Sequence, residues 1–342
     1  MRLIVRPAQE RDIDGLLELA RDAGTGMTTV PTSREAIAER VEQSTRALES
    51  TEPAGPKDIF FFVLDNDGEP LGMSSIFPAL GDDRPFYSYR VSKVAAAAPE
   101  LGIQAASDLL YLCNDFHGYV EIGTLLISRK ARGTGAGRLV SLSRFLFMKT
   151  IQARISNRIM AEIRGRFTDD GSSPFWDAVA SKFFQMSFEE ADRRSANDFR
   201  FIADLMPKFP IYTALLPDSA REVIGQPHAH SAPAMNMLLA EGFQYTNCID
   251  IFDGGPSLEA PLDRIRTVRE AVQSVVRIQA AIPTGGDTPT IVATPRTPDF
   301  RAMLLPRDHR DGSLFLTPEE AELLGVSSGE AIITAPLKPR RR

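Results

Sequence analysis

The chain has 342 residues, 43% of them hydrophobic, with 24 glycines and 24 prolines, which is enough for two domains each with its own core. Its formal net charge of -6 excludes general binding to nucleic acid or to an anionic membrane, because either needs a broad positive surface, so any anion site must be local. No apolar run approaches the roughly 18 residues that span a bilayer, "MRLIVRPAQE" lacks the apolar core of a signal peptide, and Cys113 and Cys248, without metal-ligand spacing to a histidine, read as buried free thiols of a cytoplasmic protein.

In chain order, "RLIVRP" reads as a short strand and "RDIDGLLELARDAG" as a helix with Asp12 as its N-cap and Ile13, Leu16, Leu17 and Ala20 on one face. "TSREAIAERVEQSTRALES" is a second amphipathic helix that starts at Thr32 or Ser33. "DIFFFVLDNDGEPLGMSSIF" gives two β runs around Asp67-Gly68, a hairpin signal. After "FYSYRV" an alanine-rich stretch is expected to be helical, and "YVEIGTLLI" then forms a strand that runs into a basic, glycine-rich loop. "RLVSLSRFLFMKTIQARI" follows as a helix and "RIMAEIRG" as another strand.

Two later stretches echo each other. "SPFWDAVASKFFQMSF" and "APAMNMLLAEGFQYTNCIDIF" each carry a proline near a helix start, about two turns of helix and an aromatic-rich strand. A boundary near residue 190 separates them. The aromatics Phe175, Trp176, Phe183 and Phe184 are read as core packing. "PTGGDTPT" marks a loop or linker, and "SLFLTPEEAELLGV" contains a helix with Thr317 as N-cap, Pro318 at its first position and Glu320 completing a capping box. The tail "KPRRR" reads as a solvated end.

The chemistry concentrates in the stretch 125–148, where Arg129, Lys130, Arg132 and Arg138 surround Gly133, Gly135 and Gly137. Arg132, Gly135 and Gly137 spell R-x-x-G-x-G between a strand and a helix start. Glycines let backbone approach a ligand closely, and the unpaired amides of a first helical turn point outward as donors, so the segment reads as an anion cradle. It lacks the Gly-Lys-Ser/Thr ending of a Walker A loop and the acidic partner of a dinucleotide fingerprint. It resembles the coenzyme A pyrophosphate loop of the GNAT N-acyltransferase superfamily. A second constellation is "VIGQPHAHSAPA", where His228, or His230, stands in a proline-stiffened loop between helices and could move a proton near neutrality.

Together, "RPAQERDIDGLLELA", "DLMPKFPIY", "VIGQPHAHSAPA" and "LLAEGFQYTNCIDIFDGGPSLEA" resemble the arginine N-succinyltransferase (AstA) family over about residues 1 to 280. The resemblance implies an α/β (α+β) fold of two tandem GNAT-like domains with mixed, largely antiparallel sheets and a small β-rich C-terminal segment. Their bounds are read as 1–190, with the CoA loop; 191–282, with the histidine loop; and 283–342. It also implies transfer of succinyl from succinyl-CoA, as cosubstrate with no bound cofactor or metal, to the α-amine of L-arginine. The alternatives are ornithine or another basic amino acid as acceptor, or a non-catalytic subunit. The implied assembly is a homo-oligomer or a heteromer with a paralogous subunit.

By the same resemblance His228 is the proton donor, here followed by Ala229 where the family has proline, and Leu125 binds succinyl-CoA. Leu125 and Leu126 would serve through their backbone amides, and Arg132, Gly133, Gly135 and Gly137 would hold the pyrophosphate. Glu121 and Glu162 are alternative proton acceptors, Asp250 and Asp253 candidates for the acceptor's guanidinium, and Arg90 and Arg164 candidates for carboxylate contacts. Each of these six reads first as a structural residue.

Overall fold

The computed structural model describes residues 1–21, 29–195, 200–280, 282 and 289–338. Residues 283–288 of "PTGGDTPT", the tail at 339–342 and the end of the first predicted helix at 22–24 lie outside them.

The chain opens with β1 (Leu3–Pro7), α1 (Ile13–Arg21), α2 (Arg34–Glu49) and the hairpin β2 (Phe60–Asn66) and β3 (Glu69–Phe77). Asp67 and Gly68 both take positive φ, 52° and 92°, which is the conformation a two-residue hairpin turn demands. Ser33 caps α2 by accepting from the Ala36 amide at 3.1 Å. Asp12 does not cap α1. It ends a short 3-10 turn and points inward, where Arg6 donates to both of its carboxylate oxygens, at 2.7 and 2.8 Å, and to Asp65 at 2.8 Å. The sequence pattern could not separate a cap from a buried ion pair, because both place an acid just before the helix.

The alanine-rich stretch is not a helix. It forms the long hairpin β4 (Ser88–Ala98) and β5 (Ile103–Cys113), paired from Ser88↔Cys113 to Ala98↔Ile103. Pro99 forbids a continuous helix and Gly102 turns the chain at φ 65°. Cross-strand pairing therefore overrides alanine's helix propensity.

β6 (Val120–Ile127), α3 (Ala136–Thr150) and β7 (Arg158–Glu162) follow as expected. The next stretch runs as α4 (Pro174–Ala178), α5 (Ala180–Phe184), α6 (Phe188–Ser195) and α7 (Arg200–Leu205), so the strand expected after "SPFWDAVASKFF" is helix instead. Phe175, Trp176 and Phe184 are buried there, with the indole stacked on Phe184 at 5.6 Å, whereas Phe183 is an exposed residue rather than a core one. β8 (Ile211–Tyr212), α8 (Asp218–Arg221), α9 (Ala232–Glu241), β9 (Gln244–Asp250), β10 (Pro256–Pro261) and α10 (Arg266–Arg269) complete this part. The chain closes with β11 (Val272–Ile278), β12 (Thr290–Ala293), β13 (Ala302–Leu305), β14 (Ser313–Leu316), α11 (Pro318–Leu324) and β15 (Ala331–Pro336). The Thr317–Glu320 capping box forms as the sequence indicates.

Among the described residues all fifteen strands share one mixed sheet, in the order β14-β11-β15-β12-β13-β1-β2-β3-β6-β7-β10-β9-β4-β5-β8. Every pairing is antiparallel except β6 with β7 and β11 with β14. β11, which precedes residue 283, pairs with β14 and β15. The run "FFFVL" is apolar throughout because both faces of β2 are covered. Phe60, Phe62 and Leu64 pack with α3 in one core, and Phe61 and Val63 pack with α1 and α2 in another.

Candidate active site

The site grows from the one parallel pair at the centre of the sheet. β6 and β7 are in register only at Val120↔Ile159 and Glu121↔Met160, after which β7 continues against β10 and β6 against β3 alone. Ile122 to Ile127 therefore have one edge without a strand partner. Ser128 donates to the Leu71 carbonyl on β3 at 2.8 Å, so strand alternation turns the amides of Ile127 and Leu125 toward the open edge and that of Leu126, opposite Met73, toward β3.

A bulge fixes this opening. The β3–β6 register slips between Met73 and Ser75, and Thr124 sits in the left-handed region at φ 55°. The conformation is held from outside the strand. The Thr124 amide donates to Thr29 Oγ1 and its hydroxyl to the Thr29 carbonyl, both at 2.9 Å, while Arg40 donates to the same carbonyl at 2.7 Å. Arg40 also lies over the rings of Phe61 and Phe77, and its burial lowers its pKa to about 10 against the opposing pull of Glu121. On the opposite face Arg144 of α3 is buried and donates to the Gly123 carbonyl at 3.3 Å; burial lowers its pKa to about 9. Sequence reasoning missed Thr29, Thr124, Arg40 and Arg144. An arginine in the middle of the apolar run "RLVSLSRFLFM" is the one local signal among them.

The glycine loop stands at the end of β6. Gly133 and Gly135 have φ of 80° and 91°, which side chains rarely adopt. Gly137 has no such requirement, and a Cβ there would meet nothing within 4 Å. Among the described residues the amides of Gly133, Gly135, Gly137 and Arg138 have no acceptor in the protein, and Arg129, Arg132 and Arg138 have no carboxylate partner. Lys130 is engaged by Glu69 at 2.6 Å. A cavity of about 440 Å³ beside the loop is lined by Leu3, Thr134, Gly135, Leu139, Met303 and Leu304, so the C-terminal strands form its far wall.

His228 is held in the loop between α8 and α9 by the extension of β7. Its amide donates to the Arg164 carbonyl at 2.8 Å, and its Nδ1 accepts from the His230 amide at 3.1 Å, which leaves the proton of the neutral ring on Nε2. Burial, with the nearby charges of Arg164 and His230, lowers its pKa below the usual histidine value. The "IDIFDGG" turn sets this geometry. Asp253 accepts from the amides of Gly165 and Gly255, each at 2.8 Å, and Asp250 accepts from those of Phe252 and Asp253 at 2.7 and 2.8 Å. A Cβ on Gly255 would lie 2.0 Å from the Ile163 carbonyl, so the turn can dock against β7 only with glycine there. Both aspartates are thus occupied by backbone.

Glu121 and Glu162 flank the point where β6 and β7 part. Burial raises the pKa of Glu121 to about 7 and that of Glu162 well above the carboxylate range. Arg90 is tied to Asp115 at 2.5 and 2.8 Å, beside Cys113 and Cys248, which the sheet brings together as free thiols. Arg164 lies 4.6 Å over the Phe167 ring with its Nε buried and unbonded.

A family model described as arginine N-succinyltransferase beta subunit matches residues 3–267, and one for the C-terminal domain of that subunit matches 272–336. Arginine N-succinyltransferase subunit beta of Pseudomonas aeruginosa is 37% identical over 343 residues, spanning 99% of this chain and 100% of the relative. Arginine N-succinyltransferase of Yersinia enterocolitica is 38% identical over 96% of each chain. The solved structure of arginine/ornithine succinyltransferase subunit AI from Pseudomonas aeruginosa matches 99% of both chains with a TM-score of 0.89 and 32% identity.

Proposed function

We propose, from the premise that this chain belongs to the arginine N-succinyltransferase family, that it transfers the succinyl group of succinyl-CoA to the α-amine of L-arginine. The observation that carries this reading is the opening between β6 and β7, with free strand amides, directly ahead of a glycine loop whose amides and arginines are also free.

In this reading the diphosphate of succinyl-CoA rests on the amides of Gly133, Gly135, Gly137 and Arg138, with Arg129, Arg132 and Arg138 supplying charge. The thioester then lies along the open edge of β6, where the Leu125 amide, joined by that of Ile127 rather than Leu126, donates to the oxygen that gains charge. The attacking group is a neutral amine. A guanidinium, with a pKa above about 12, is no nucleophile at neutral pH, so the α-amine is the one acylated. The C–S bond breaks as the amide forms, and the proton released by the amine ends on the CoA sulfur. His228, its Nδ1 occupied and its Nε2 free, is assigned to deliver it.

A solved relative is named for both arginine and ornithine, which supports ornithine as a second acceptor for this chain. Relatives named as subunits support assembly with further copies or with a paralogous chain. Among the described residues no helix is long and apolar enough to cross a membrane, and we place the reaction in the cytoplasm. The test is CoA release by the purified protein alone, with succinyl-CoA and a panel of amines. Release with arginine, and less with neutral amino acids, supports the reading. No release with any amine contradicts it.

A further inference from the structure

Across the centre of the sheet, one face carries a row of polar groups whose hydrogen bonds are unmet. Ser75 on β3, Ser257 on β10 and Ser88 on β4 are each at most 1% exposed, and their hydroxyls have no partner among the described residues. Between Ser75 and Ser257 stand Glu121 on β6, 6% exposed with no hydrogen bond or ion pair among the described residues, and Glu162 on β7, a partly exposed residue whose Oε1 is shut off from solvent and unbonded among them. Register puts Ser75, Glu121, Glu162 and Ser257 on one face. Ser75 pairs with Gly123, two residues beyond Glu121; Glu121 pairs with Met160, two residues before Glu162; and Glu162 pairs with Ser257.

Buried polar groups in folded proteins are almost always satisfied, so a cluster of orphans calls for a ligand. The charge says which kind. Arg40 and Arg84, opposed by Asp250, act on Glu121, but the groups that act on Glu162 are Asp250, Glu121, Asp253 and Cys248, all of them acidic. A cation is the missing complement.

We propose that Glu162, with Glu121 and the Ser257 hydroxyl, receives the cationic side-chain end of the acceptor amino acid and so selects a guanidinium over a neutral tail. This rests on the succinyl-transfer reading for the position of the α-amine. Glu121 precedes Leu125 by four residues, about 13 Å along the strand. Glu162 stands roughly 7 Å nearer the open end than Glu121. An extended arginine side chain spans about 6 Å from Cα to the guanidinium carbon. An α-amine poised at the Leu125 amide therefore places its guanidinium within reach of the Glu162 carboxylate, with Glu121 behind it. Asp250 and Asp253 leave this role because their turn occupies them.

The test compares L-arginine with L-citrulline, whose neutral ureido group replaces the guanidinium and whose α-amine is the same. Calorimetric binding of each to the CoA-loaded protein, and steady-state transfer to each, are measured for wild type, Glu162→Gln, Glu162→Asp and Glu121→Gln. Glu162→Gln is expected to weaken arginine binding and raise its KM by about tenfold or more while changing citrulline by less than about twofold, with Glu162→Asp recovering part of the loss. An unchanged arginine-to-citrulline ratio in both glutamine variants overturns the proposal. So does a fall in kcat for both acceptors alike with KM unchanged, which would mark the glutamate as a proton acceptor. Arginine binding without turnover in the wild type would instead overturn the transfer reading, with the binding arm still deciding this one.

Discussion

His228 and Glu121 are two side chains whose proton affinity the fold changes, His228 downward and Glu121 up to about 7, and each makes a distinct prediction. Replacing His228 by alanine removes a proton carrier without touching the glycine loop. Turnover should fall by about 100- to 10,000-fold with CoA affinity little changed, as measured by steady-state kinetics beside CoA binding; intact turnover would end the assignment. Glu121 bears on stability. Its folded-state pKa is about 7 against an ordinary 4.5, so the folded chain holds an extra proton across that window and loses stability as pH rises through it. Glu121→Gln cannot lose the proton. It should therefore be more stable than wild type at pH 8, by about 3 kcal/mol at most, and the gain should shrink toward pH 5. Denaturant titrations at the two pH values check this, and a gain independent of pH would contradict it.

At the scale of elements, the loop between β6 and α3 divides its glycines by purpose. Gly133 and Gly135 serve the backbone, while Gly137 has an ordinary φ and leaves open space where a Cβ would meet nothing. Gly137→Ala should raise stability by about 0.5–1 kcal/mol, since alanine is the better helix former, and yet weaken CoA binding. Arg132→Ala should weaken CoA by about tenfold at low salt and less at high salt, because an exposed charge contact is screened. Equilibrium binding at two ionic strengths reads both. This loop was legible in the sequence because turn glycines, basic residues and helix start are all local. The hairpin of β4 and β5 was not, because its alanines take their conformation from cross-strand partners. The β6–β7 opening was not either. The residues that hold it, Arg40 and Thr29, lie 84 and 95 positions from Thr124.

Over the whole molecule, one sheet joins segments that the sequence divides into three. Arg266 of α10 pairs with the buried Glu241 of α9 and donates to the Pro336 carbonyl of β15 at 3.0 Å, tying the C-terminal strands to the preceding part. Those strands wall the cavity beside the glycine loop, a role that the sequence of residues 283–342 did not disclose, because it depends on β13 pairing with β1. The histidine loop was legible only through its resemblance to a family, and the structure supplies the reason for the family's phrase: "IDIFDGG" clamps the extension of β7 that carries His228.

The central claim is that the opening between β6 and β7 and the glycine loop together hold one molecule of succinyl-CoA. A crystal structure of the complex tests it most directly. The diphosphate should lie against the amides of Gly133 to Arg138, with the thioester oxygen at the Leu125 amide. Succinyl-CoA found elsewhere on the chain, with this loop empty, would contradict the account.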